Sequence, residues 1–143
     1  GIADIFAKNI FKGDVILFYG EIGVGKTTFI KSLVNSLEKI DKKNISEITS
    51  PTFSLMNQYK LNKFDIHHYD LYRLKSEKDI LSLNIFEDIS DKIVLIEWPE
   101  ILGEHKPRNT IDINFEYGEN FNSRYLTISA YEKLKIFDEF KSL

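Results

Sequence analysis

Cysteine is absent from the 143-residue chain, which excludes a disulfide framework and a thiolate metal site and removes a small secreted scaffold from consideration. No stretch of about 18 apolar residues occurs, so the sequence offers no membrane-spanning helix. Basic charge is not in excess either: 19 Lys and Arg stand against 22 Asp and Glu, for a net charge of -3. A domain that holds nucleic acid by broad phosphate neutralisation needs a basic face, so any contact with RNA is expected to be local or to come through a partner. Low-complexity tracts, internal repeats and Pro/Gly/Ser-rich linkers are also missing. The first residue is Gly rather than Met and no basic, then apolar, leader follows it, which points to a leader or a strand lying upstream of Gly1.

What remains is a chain that is 43% hydrophobic and 13% aromatic, long enough to bury one continuous core and too short for two ordinary domains. A single unit over residues 1–143 is therefore expected. Ile2, Ile5, Phe6 and Ile10 recur at helical spacing within residues 2–12, and Gly13-Asp14 ends the segment. Val15 to Tyr19 is an unbroken run of β-formers, as in a strand buried on both faces. From Lys26 to Ile40, Phe29, Ile30, Leu33, Val34, Leu37 and Ile40 form a helical stripe. Residues 53–59 and 64–70 read as a hairpin turning at Leu61-Asn62-Lys63. Ser76, with Asp79 three positions on, opens a helix that ends before Asn84, a residue tolerant of the left-handed backbone. Ile93 to Ile96 is a second buried strand. Thr110 to Phe115 and Tyr125 to Ser129 alternate as strands, and Glu132 to Phe140 has a helical pattern.

Between the first strand and the long helix lies Gly20-Glu21-Ile22-Gly23-Val24-Gly25-Lys26-Thr27, which satisfies GxxxxGK[ST]. At this composition a chance match has odds of about one in two hundred. Glycines at 20, 23 and 25 let successive backbone N–H groups turn toward one anion. The helix that follows adds its unpaired N–H groups and positive dipole end. Lys26 is placed to reach the β- and γ-phosphates of ATP, Thr27 to bind magnesium (Mg2+) through its hydroxyl, and Thr28 to donate to the α-phosphate. The plain alternative, a glycine turn joining strand to helix, does not account for the full motif in this context.

A phosphate loop needs a carboxylate near the magnesium, at the C-terminal end of a neighbouring strand. Glu97 follows the Ile93–Ile96 run and suits a water-mediated metal contact or the orienting of an attacking water. Asp70 follows the Asp65–Tyr69 segment and, being shorter, suits a tighter metal contact. A solvated carboxylate at a strand end is the bland alternative for either.

Three further segments follow the loop in order: Thr49-Ser50-Pro51-Thr52-Phe53, His68-Tyr69-Asp70-Leu71-Tyr72-Arg73-Leu74 and Glu97-Trp98-Pro99-Glu100. Together with the phosphate loop they resemble the TsaE family, formerly called YjeE, whose members show SPTF, DLYRL and EWPE segments; the resemblance runs over most of the chain. It implies a cytoplasmic ATPase that acts with TsaB and TsaD in forming threonylcarbamoyladenosine at position 37 of ANN-decoding tRNAs. It also implies functional roles for Lys26, Thr27, Thr52, Asp70 and Glu97, with Trp98 supporting nucleotide or partner contacts or serving as a core anchor. Thr52 suits a γ-phosphate sensor, because Pro51 stiffens its loop and a hydroxyl can join or leave a magnesium shell. The departures are Glu21, Ile22 and Val24 within the loop, Asn84 where glycine is common, and a family segment that precedes the first helix.

The fold class these observations predict is α/β, a P-loop NTPase with a mostly parallel central sheet flanked by helices and added antiparallel strands. Hydrolysis by the chain alone is expected to be slow. A small-molecule kinase shares the loop and size, but needs an arginine-bearing lid that Arg73, Arg108 and Arg124 supply poorly. A nucleotide-gated docking module is a third reading. His67 and His68 are adjacent in a strand and point to opposite faces, which argues against a shared metal. Lys39, Lys42 and Lys43 read as a solvated helix end, the alternative being a tRNA or partner contact. Arg73 reads as a structural ion-pair partner, the alternative being a group that stabilises phosphate charge.

Overall fold

The computed structural model describes residues 1–21, 25–42, 48, 55–117 and 124–130. Within them run α1 (Ile2–Ala7), β1 (Val15–Tyr19), α2 (Lys26–Ile40), β2 (Met56–Lys60), β3 (Asp65–Asp70), α3 (Glu77–Leu83), β4 (Lys92–Glu97), β5 (Thr110–Tyr117) and β6 (Arg124–Ala130). Short 3-10 segments, Ile89–Asp91 and Pro99–His105, flank β4. The six strands form one sheet in the order β2-β3-β4-β1-β5-β6. Its middle four strands are parallel, and the outer pairs β2–β3 and β5–β6 are antiparallel. This is the expected P-loop NTPase arrangement, with the strand that leads into the phosphate loop at the centre.

The centre of the sheet is apolar on both faces because both faces are covered. Ile16 and Phe18 of β1, Ile93 and Leu95 of β4, and Ile66 of β3 point to one side, where Phe6 of α1 and Phe29, Ile30 and Leu33 of α2 complete the core. The Phe29 ring meets Phe115 edge-on, with centroids 5.6 Å apart, and Phe6 at 6.0 Å. Val15, Leu17, Val94, Ile96 and Tyr69 point to the other side, against Leu71, Ile80, Ile85 and Leu102.

That alternation also sorts the polar residues. His68 and Asp70 share the face of Ile66, and Glu97 shares the face of Leu95, so all three lie on the α1–α2 side of the sheet.

Most predicted elements match to within a residue or two. The first helix is shorter than its apolar spacing predicts: it stops at Ala7, where the Asn9 amide donates to the Ile5 carbonyl at 2.8 Å, and Ile5 is exposed while Ile10 still reaches the core. Ile40 is exposed too, since the last turn of α2 instead buries Leu37 and Asp41. The Asp41 carboxylate accepts from the backbone N–H groups of Asn62 and Lys63, tying the end of α2 to the β2–β3 turn. In α3, the Ser76 hydroxyl accepts from the Asp79 N–H at 3.3 Å, and Asn84 closes the helix at φ 50°, as the capping pattern predicts. The helix expected at Glu132–Phe140 lies outside the described residues. Among those described, no helix is long and apolar enough to cross a membrane.

Candidate functional site

The site assembles where β1, β3 and β4 end. Tyr19 closes β1, and Gly20 then turns the chain at φ 137°. Gly25, at φ 108°, is the N-cap of α2. Both angles lie where a Cβ is strained, which is the physical reason for glycine at these two positions. Ile22, Gly23 and Val24 lie outside the described residues, as does the SPTF segment with Thr52. Glu21 and Thr28 are exposed and Thr27 is half-buried.

Lys26 is the first residue of α2 and is buried. Its Nζ donates to the Gly20 carbonyl at 2.5 Å, bridging the two ends of the loop. The same ammonium stands 4.1 Å from the centroid of the Trp98 ring, within cation–π range. Burial pushes the Lys26 ammonium below its ordinary pKa, and the carboxylates of Glu97, Glu100 and Asp70 oppose that shift.

Asp70 and Glu97 are register partners on β3 and β4, and Glu97 is in turn the partner of Phe18 on β1. The two acids therefore stand side by side on neighbouring strands, which run about 4.8 Å apart across a sheet. Both are buried, at 5% and 3% exposure. That burial excludes the solvated strand-end alternative for either one. The Tyr72 N–H donates to Asp70 Oδ1 at 3.1 Å, fixing one oxygen. His68 Nε2 meets Glu97 Oε2 at 2.8 Å, with both side chains buried. Beyond Glu97 the chain turns through Trp98, held at φ 58°, into the Pro99–His105 segment. The Trp98 ring packs on Tyr72 with centroids 4.9 Å apart.

The oxygen donors beside Lys26 include the Asp70 and Glu97 carboxylates, and Thr27 is the next residue of α2; all carry hard oxygen ligands of the kind magnesium takes. The Asp70 and Glu97 carboxylates both act on the Lys26 ammonium, and a divalent ion bound beside them would be held by charge as well as by ligation. No three His, Asp or Glu side chains converge as a metal site among the described residues, so such an ion would complete its shell with water and phosphate oxygens, as magnesium commonly does. A groove of about 900 Å³ leads away from Gly25 and Thr28 between α1 and α2, passing Ile2, Asp4, Phe29 and Ser32.

Of the residues singled out in the sequence, the fold brings Lys26, Asp70, Glu97 and Trp98 together. Arg73 is exposed. Sequence reasoning missed His68, Tyr72, Glu100 and the Gly20 carbonyl. The signal for His68 was present: two residues before Asp70 in a strand means the same face. Its partner could not be read, because the β3–β4 register is a tertiary fact.

The family model for "Threonylcarbamoyl adenosine biosynthesis protein TsaE" matches residues 1–126. The chain is 37% identical over 126 residues to the tRNA threonylcarbamoyladenosine biosynthesis protein TsaE of Rickettsia prowazekii, covering 88% of this chain and 84% of that protein. It is 36% identical over 133 residues to the TsaE protein of the cyanobacterium Nostoc sp., covering 89% and 76%. Among solved structures, the crystal structure of YdiB from Bacillus subtilis superposes with a TM-score of 0.72 at 23% identity, covering 96% of this chain and 82% of that one.

Proposed function

The chain belongs to the TsaE family, and from that premise we propose that it is a magnesium-dependent, cytoplasmic ATPase, one unit over residues 1–143, required for threonylcarbamoyladenosine formation in tRNA with TsaB and TsaD. The observation that carries the reading is the gathering of Lys26, Asp70 and Glu97 at the C-terminal ends of three adjacent parallel strands, beside the N-terminus of α2. Crevices at such strand ends are where open α/β sheets bind nucleotides.

In this reading the loop from Gly20 to Thr28 (Gly20, Glu21, Ile22, Gly23, Val24, Gly25, Lys26, Thr27, Thr28) wraps the phosphates, and the nucleoside lies in the groove between α1 and α2. Lys26 leaves the Gly20 carbonyl and the Trp98 face for the β- and γ-phosphates. Magnesium, when bound, would neutralise phosphate charge, and Thr27, Asp70 and Glu97 are the groups that would hold it. Glu97 orients a water whose oxygen bonds to the γ-phosphorus as the bond to the bridging oxygen breaks. ADP leaves with that electron pair, and the water's proton passes to the carboxylate or to the released phosphate. Thr52 senses the γ-phosphate. Arg73 and Arg108 are exposed and the motifs supply no evident arginine finger; turnover by the chain alone is accordingly slow until a partner completes the site.

Reconstitution with TsaB, TsaD and tRNA tests the proposal, scoring ADP release and modified adenosine together. Lys26→Ala is expected to lower turnover by about 100-fold or more and to abolish modification. Modification that survives without turnover in Glu97→Ala would instead favour a nucleotide-gated docking module, and a phosphorylated small acceptor would favour a kinase.

A further inference from the structure

His68 has no part in the roles given so far, yet it is the most completely buried polar side chain beside the site, at 0% exposure. Its register partner on β4 is Leu95, and Glu97 lies two residues further along the same face. The imidazole thus reaches across a diagonal of the sheet to Glu97 Oε2 at 2.8 Å. A carboxylate only accepts, so Nε2 carries the proton in this bond. The other nitrogen, Nδ1, is buried and meets no hydrogen-bonding group among the described residues.

That combination is a poor way to build a stable core. Ile66 and Leu95 occupy the neighbouring positions on that face, and an apolar residue at 68 would fill the same space without burying a nitrogen that meets no partner among the described residues. A histidine there therefore earns its place by what it does to Glu97. We infer that His68 is a positioning residue: its Nε2–H pins one oxygen of Glu97, so that the other is held in a single orientation toward the attacking water. The inference rests on the ATPase reading above. It assigns to the strand residue two places before Asp70 the work of orienting a carboxylate on the next strand, as outer hydrogen bonds orient reactive carboxylates elsewhere.

Steady-state ATP turnover by the full-length protein with its partner proteins tests this, in His68→Leu and His68→Gln variants, alongside thermal unfolding and calorimetric ADP affinity. A glutamine side-chain amide can place an N–H close to the position of Nε2. In His68→Leu, kcat is expected to fall by about 10-fold to 100-fold, while KM and ADP affinity stay within about twofold and the protein remains folded. His68→Gln is expected to recover most of the lost rate. Wild-type kcat in His68→Leu would overturn the inference. So would a His68→Gln variant as slow as His68→Leu, or a loss of ADP affinity or thermal stability that matches the loss of rate. Lys26→Ala separates the two levels. If it turns over ATP like the wild type, the ATPase reading itself fails and takes this inference with it; if it is inactive while His68→Leu is not, only the role of His68 falls.

Discussion

The Lys26 ammonium and the Trp98 indole face each other, 4.1 Å from nitrogen to ring centroid. Such a contact is worth about 1 kcal/mol, more where water is excluded. It can hold the lysine while its hydrogen bond to the Gly20 carbonyl closes the loop.

The chain has one tryptophan, so this contact has its own optical reporter. If nucleotide draws Lys26 away from the ring, ADP with magnesium will change the Trp98 emission. The nucleotide-free Lys26→Met protein should already emit like the nucleotide-bound wild type, since both lack a cation over the indole. Fluorescence spectra of the four states check this, and identical emission from both nucleotide-free proteins would count against it.

Asp70→Asn keeps the shape of the side chain and an oxygen to accept from the Tyr72 N–H, but removes the charge. Affinity for ADP in the presence of magnesium should fall about tenfold, or about 1.4 kcal/mol, whereas affinity measured with a chelator should hold or improve because a phosphate no longer faces that carboxylate. Titration calorimetry with and without magnesium distinguishes the two. An equal loss in both conditions would show Asp70 to be a packing residue.

His67, one position from His68, points to the other face and has its imidazole pKa pushed below the usual 6.5, chiefly by burial, with Lys92 adding to the shift and Asp65 opposing it. Between the folded-state value and that of the unfolded chain, the unfolded chain holds more protons. Stability therefore rises with pH through that window and levels off above about pH 6.5. His67→Gln should flatten this part of the profile. Urea unfolding from about pH 5 to pH 8 measures it, and parallel wild-type and variant curves would remove His67 as the cause.

Much of the fold was legible because its signals are local. The apolar runs of β1 and β4, the helical stripe of α2 and the Ser76 and Asn84 caps are set by periodicity and by backbone preferences that each segment carries within itself. The exceptions are Ile5 and Ile40, apolar residues at helical spacing that the packed helices leave outside. Whether a given face of a helix is covered depends on the neighbouring elements, and among the described residues α1 packs chiefly on α2.

The candidate site divides along the same line. By itself, the sequence determined the phosphate loop and singled out Lys26, Asp70 and Glu97, because glycine placement, strand-to-helix order and motif chemistry are properties of contiguous residues. Only the tertiary structure decided that Asp70 stands beside Glu97, that His68 meets one oxygen of Glu97, and that Trp98 lies under Lys26. Those pairings depend on strand order and register, which are settled by how two sheet faces bury their side chains together, and no single segment contains that information.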